Sequence, residues 1–187
     1  MAKIKLIVSL LLIMTISITF GRVAWISIKA ELAQILIKQA WDETLHTGTH
    51  SKPWYWADTW PVGRMIHPKS GTDLYILEGA QGNALAFGPG RHVDAGKLGS
   101  NSSVIGGHKD THFAFLADVK IGDMLQLQTQ DGLWHPYRIS AKRVVNTTQS
   151  DLAVSLNQAT LYLVTCYPFD DIALNNTLRL VVELEPS

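Results

Sequence analysis

Beyond about residue 60 the chain is a succession of short β-like runs cut by turn signals, and that rhythm restricts its fold more than any other feature. The runs occupy 63–67, 72–77, 102–106, 124–129 and 134–145, followed by 160–166 and 178–184. Between them stand Pro68-Lys-Ser-Gly71, Gly88-Pro-Gly90, Gly122-Asp123 and Gln130-Asp-Gly132, residue types that supply a fixed or a positive φ in tight turns. Many short strands with little helix must deal with their unpaired edges, and a sandwich or a barrel does so. An all-β domain is therefore expected.

The N-terminus is of another kind. Lys3 and Lys5 precede the apolar stretch 6–20, which continues through Val23 to Ile28 with Arg22 able to extend its charge to an interface. Gly21-Arg-Val-Ala-Trp25 is a poor peptidase site, so an uncleaved signal anchor is expected in place of a removed leader. With Lys3 and Lys5 on the cytoplasmic side, the remainder would lie outside. Trp25, Ile28, Leu32, Ile35 and Leu36 then recur at helical spacing against Glu31, Gln34, Lys38 and Asp42, an amphipathic helix to about Leu45. His46-Thr-Gly-Thr-His-Ser-Lys-Pro53 breaks every period and reads as a linker. The expected organisation is an anchor at 1–28, a helix and linker at 29–53, and one domain at 54–187, a size sufficient for a core of its own. Sixteen basic and sixteen acidic residues cancel, and no basic stripe suited to nucleic acid is present.

Cys166 is the only cysteine, so it forms no intrachain disulfide. It closes the apolar run Thr160-Leu-Tyr-Leu-Val-Thr-Cys166 and is followed by Tyr-Pro-Phe-Asp170, which places the thiol at a strand end. Taken alone, such a cysteine is more often a buried small hydrophobe than a nucleophile. Downstream, Leu178, Leu180, Val182 and Leu184 alternate with Arg179, Val181 and Glu183. If this is the next strand, 167–177 is a hairpin loop and Arg179 returns beside the thiol. Upstream, His108 is framed by Val104-Ile-Gly-Gly-His-Lys-Asp-Thr-His-Phe113. Thiol acyl transfer calls for these groups: a thiolate with an imidazole partner, and a cation or amide at the oxyanion.

In these three segments the chain resembles the sortases, membrane-anchored cysteine transpeptidases of the bacterial surface. The resemblance rests on the His segment 104–113, the thiol segment Tyr162-Leu-Val-Thr-Cys166 and the Arg of Thr177-Leu-Arg179, in the family's order, and it spans roughly 61 to the C-terminus. Tyr162 stands where the family's thiol motif usually begins with Thr. The extended HKDTHF and TCYPFD forms look more like the housekeeping or Gram-negative branches than the best-known cell-wall anchoring branch.

The resemblance implies a closed, mostly antiparallel β-barrel of about eight strands with the anchor helix and short helices. It implies Cys166 as nucleophile, His108 as acid and base, and Arg179 as the cation, with Thr165 and Asp110 as substrate-binding or supporting residues. His112, four residues on, is the competitor to His108; the family's pattern puts the catalytic His directly after the Gly. The substrate would be a secreted protein with a C-terminal sorting sequence, and the acceptor an amine. The location would be the cytoplasmic (inner) membrane, with the domain on the periplasmic face. No metal or other cofactor is expected: some relatives are regulated by Ca²⁺, but no dense carboxylate loop is visible, and His46, His50, His67, His92 and His135 are not at ligand spacing. Two other readings stay open. One is a cysteine peptidase or L,D-transpeptidase acting on peptidoglycan, although the Ser-His-Gly-Cys signature of the latter is absent. The other is an inactive periplasmic β-domain with a buried thiol.

Overall fold

The computed structural model describes residues 2–82, 84–149, 159–171 and 177–187. The N-terminal helix α1 runs without interruption over Ala2–Thr47. The chain divides into two compact units, Met1–Leu36 and Ile37–Ser187.

The first unit is helical. From Leu10 onward α1 is long and apolar enough to cross a membrane by length and composition, with a mean hydropathy of 1.8 in its most apolar window. Leu10 to Met14 are all more than half exposed, as is Phe20, which suits an apolar solvent better than water. Two threonine hydroxyls in this stretch are satisfied within the helix: Thr15 donates to Leu11 O and Thr19 to Thr15 O at 2.9 Å. That is the arrangement an apolar surround demands, since a hydroxyl without a partner there is costly.

The second unit begins inside α1. Ile37, Ala40, Trp41 and Thr44, at helical i, i+3, i+4, i+7 spacing, are all buried. The Trp41 indole Nε1–H reaches Gln128 Oε1 at 3.2 Å, so this last part of the helix is built into the domain. The eight strands are β1 Pro61–His67, β2 Thr72–Glu78, β3 Gly90–Arg91, β4 Ser103–Gly106, β5 Met124–Gln128, β6 Trp134–Asn146, β7 Leu161–Cys166 and β8 Leu178–Pro186. They close in the order β1-β2-β3-β4-β7-β8-β6-β5. β2 with β3 and β4 with β7 are parallel pairs, and the remaining pairs are antiparallel. The expected mostly antiparallel barrel is thus present, with the short helix α2 (Ala84–Phe87) and a 3₁₀ turn at Ala114–Ala117 in its connections.

Alternation drives the closure. On β7, Leu161, Leu163 and Thr165 are buried, and on β8 Leu180, Val182 and Leu184 point the same way. Met65, Ile76, Ile105, Leu125, Leu127 and Ile139 join Leu161 and Leu163 in one cluster, each at most 1% exposed. Each such side chain contributes roughly 1.5–3 kcal/mol by leaving water. Because side chains alternate at period two, the residues between them are committed to the outer face. Cys166, two places beyond Val164, lies on that face.

Candidate active site

Three strand ends bring the sequence-predicted groups together. β4 and β7 run parallel with Ser103 opposite Leu161 and Gly106 opposite Val164, a constant offset of 58 (161 − 103 and 164 − 106). The Gly107 N–H carries the ladder further by donating to Val164 O at 3.1 Å. His108 and Cys166 share the same offset in sequence (166 − 108 = 58), each two residues beyond the last register pair of β4 and β7. On the other side of β7, Cys166 is the register partner of Arg179 on β8. The hairpin inference is met in its register, although residues 172–176 of that loop lie outside the described residues. Cys166 and Arg179 are thus neighbours across β7 and β8, and His108 follows the end of β4 on the other side of β7.

His108 is exposed, while Cys166 and Arg179 are half-buried. Among the described residues no hydrogen bond joins His108 to Cys166. Catalytic hydrogen bonds are often long in a resting site and tighten when substrate arrives. Arg179 donates from Nη1 to Leu178 O at 2.8 Å, a carbonyl that also accepts from the Tyr167 N–H at 3.1 Å.

The segment beneath His108 is held tightly. Thr165 faces the barrel interior, and its hydroxyl donates to Gly107 O at 2.8 Å. It thus ties β7 to the backbone of the residue just before His108. The Phe113 N–H donates to His108 O at 2.9 Å, closing a turn over 109–112. Phe113 itself is fully buried in the core. A Cβ on Gly107 would sit 2.8–3.0 Å from its ring, so only glycine fits there. Lys109 donates from Nζ to Pro168 O at 2.8 Å and to Asp171 O.

The competitor histidine differs from His108. His112 is half-buried, its ring 6.4 Å from that of His108, and its Nδ1 is buried without a partner. Burial, and then the neighbouring His108, pushes its pKa down, favouring the neutral ring. Asp110 is exposed, and among the described residues it makes no hydrogen bond to either imidazole. Of the other histidines, His67 is buried and bonds Ser70 through Nδ1 at 2.7 Å, and His135 bonds Thr129 at 2.9 Å. His46 is in the last turn of α1, with Nδ1 2.9 Å from Asp42 O.

Among the described residues, clefts on the barrel unit include two that are lined by none of Cys166, His108 and Arg179. One lies among Asp58, Gly79, Ala80, Ala84 and His92; the larger lies among His50, Trp60, Arg91, Leu98, Asp131 and His135. Residues 150–158 and 172–176, which flank β7 in sequence, are outside the described residues. The group a sequence reading overlooked is Lys109, which carries no motif of its own.

Comparison with known proteins agrees with this geometry. The family model of the sortase domain matches residues 66–187. Sortase D of Bacillus subtilis (strain 168) is 30% identical over 103 residues, 54% of this chain and 52% of that protein, so the chain spans about half the length of the curated relative it matches. Among solved structures, sortase A from Corynebacterium diphtheriae superposes with a TM-score of 0.61 at 27% identity, covering 71% of this chain and 63% of that one. A Clostridium perfringens sortase D5 transpeptidase covers 84% of this chain and 99% of its own with a TM-score of 0.65; at 18% identity it speaks for the fold. A domain match across nearly two-thirds of the sequence, on an eight-stranded barrel of this topology, shows that the chain belongs to the sortase family.

Proposed function

We propose that this chain is a membrane-anchored cysteine transpeptidase of the sortase type. The observation that carries the reading is that the only cysteine, Cys166, has Arg179 as its register partner on β8, while His108 lies two residues past the end of β4, the strand paired with β7 on its other edge. The Cys166 thiolate attacks a backbone carbonyl in the C-terminal sorting sequence of a secreted protein. The new S–C bond gives a tetrahedral oxyanion, held by Arg179 and nearby backbone amides. Collapse breaks the C–N bond, and the departing amine takes its proton from the His108 imidazolium, leaving a thioester. An incoming amine then adds to the thioester carbonyl and gives its proton to His108, and the thiolate leaves. One peptide bond is broken and one amide formed, with no net oxidation and no cofactor needed for proton or electron balance.

The apolar part of α1 supports an anchor in the cytoplasmic membrane, and Lys3 and Lys5 before it favour a domain on the periplasmic side. The test uses the full chain in detergent, because Ile37 and Trp41 are part of the barrel unit. Wild type and Cys166→Ala are incubated with a panel of sorting-type peptides and read by intact mass. An acyl adduct on the wild type alone, released by added amine as a ligated product, is expected. Action on murein stem peptides in place of protein tails would favour the peptidoglycan-directed reading. A thiol slow toward iodoacetamide and free of adduct would favour an inactive domain.

A further inference from the structure

We propose that Lys109 is a positioning residue that fixes His108 against Cys166 by tying the two catalytic segments together. The inference rests on the dyad reading above. Its ammonium donates to the main-chain carbonyls of Pro168, at 2.8 Å, and Asp171. Both belong to the segment that leaves Cys166, 59 and 62 positions further along the chain. Those acceptors are neutral and part of the backbone, so the contact is sensitive to the path of the chain in a way that a flexible surface ion pair is not.

The need for such a tie follows from where the sheet ends. Ladder pairing between the two segments stops at the bond from Gly107 N to Val164 O. His108 is the next residue, and Asp110 and Thr111 beyond it are exposed. Phe113 N–H holds His108 O from within the same turn, but that bond fixes the turn to itself. Among the described residues, the hydrogen bonds running from the 109–112 turn to the segment after Cys166 come from Lys109. The residue beside the imidazole thus carries the strap, and the strap lands two and five residues past the sulfur. A lysine serves here because three N–H donors on a single nitrogen can meet two carbonyls at once.

The test uses the single thiol as its own reporter. Full-length wild type, Lys109→Met, Lys109→Arg and His108→Ala, in detergent, are alkylated with iodoacetamide across a pH series, with circular dichroism confirming the folded fraction. Met keeps the length of the stem and removes the donors; Arg restores two donors that can reach the carbonyls. Lys109→Met is expected to move the midpoint of the pH profile in the same direction as His108→Ala, and to change the rate at neutral pH by about 10-fold, within the roughly 100-fold that a displacement near 1 Å can cause. Lys109→Arg is expected to stay nearer the wild type. A Lys109→Met profile that superposes on the wild type overturns the proposal, and so does Lys109→Arg behaving no better than Met. If wild type and His108→Ala already share one profile, the dyad reading fails instead of the strap.

Discussion

Replacing Gly107 by alanine tests whether the His segment is as tightly seated as its contacts indicate. The new Cβ would lie 2.8, 2.9 and 3.0 Å from three atoms of the Phe113 ring. Carbon atoms prefer about 3.5–4.0 Å, so ring and backbone must separate by roughly 0.5–1 Å. The ring has little freedom to yield, being fully buried and packed edge-on at 6.1 Å against Phe115. Its own backbone N–H is bonded to His108 O, so strain on either side reaches the imidazole-bearing residue. Overpacking of this kind costs about 1–3 kcal/mol, and a cost near the middle lowers Tm by roughly 4–8 °C in a chain of this size. A shift of His108 on the same scale should cut kcat/KM by about 10–100-fold. Gly106→Ala is the contrast, because its nearest neighbour, the Ala80 Cβ, is at an ordinary 3.5 Å. Gly107→Ala with Phe113→Leu should cost less than the sum of the two, since the smaller side chain removes the clash. Thermal unfolding by circular dichroism, with the alkylation rate of Cys166, reads both effects. Strict additivity of the pair, or a Gly107→Ala protein with wild-type Tm and rate, would refute the reasoning.

Two further outcomes follow from the buried polar groups. Thr165→Val removes the hydroxyl that donates to Gly107 O inside the barrel and should cost about 1–2 kcal/mol in urea unfolding, with Thr165→Ser costing less; equal stability of Val and wild type would show that the bond contributes nothing. His67 has its pKa pushed down, chiefly by burial, so the folded state favours the neutral ring while the unfolded chain takes up a proton near pH 6.5. Its share of stability is therefore complete above that pH and is lost as pH falls through about 6.5 toward the lower folded-state pKa. The decline of Tm between pH 7.5 and 5.5 should be shallower in His67→Phe, and identical slopes would remove His67 as the cause.

The readable part of the molecule was the part in which one side chain implies the next. The apolar run ending at Cys166 became β7, and the alternation after it returned Arg179 to the register position opposite the thiol. What stayed hidden depends on packing between distant segments. β3 is two residues long and starts on the last residue of what reads as a Gly-Pro-Gly turn. Gly90 is required there because a Cβ would overlap the Gly79 carbonyl, a backbone crossing that no local pattern announces. Thr165 reads equally well as groove lining or as strand filler until the barrel closes and turns it inward. Lys109, in a polar turn, has the sequence appearance of a solvated charge. The segment 29–45 reads as one amphipathic helix, yet its buried face from Ile37 to Thr44 includes Ala40 and Thr44, which carry little hydropathy signal.

The parallel pairing of β4 with β7 has a consequence for when the chemistry exists. Antiparallel neighbours can meet through a short turn, but these two strands sit 58 positions apart, with β5 and β6 intervening. Pairings of such long range form late, since the loop entropy must be met before the contacts stabilise anything. The segments that carry His108 and Cys166 are therefore brought side by side only when the ring of strands is completed. On the proposed reading, an unfinished chain carries a plain cysteine and reactivity arrives together with the finished fold, so the thiol would have no partner to activate it while the polypeptide is still exposed to the wrong carbonyls.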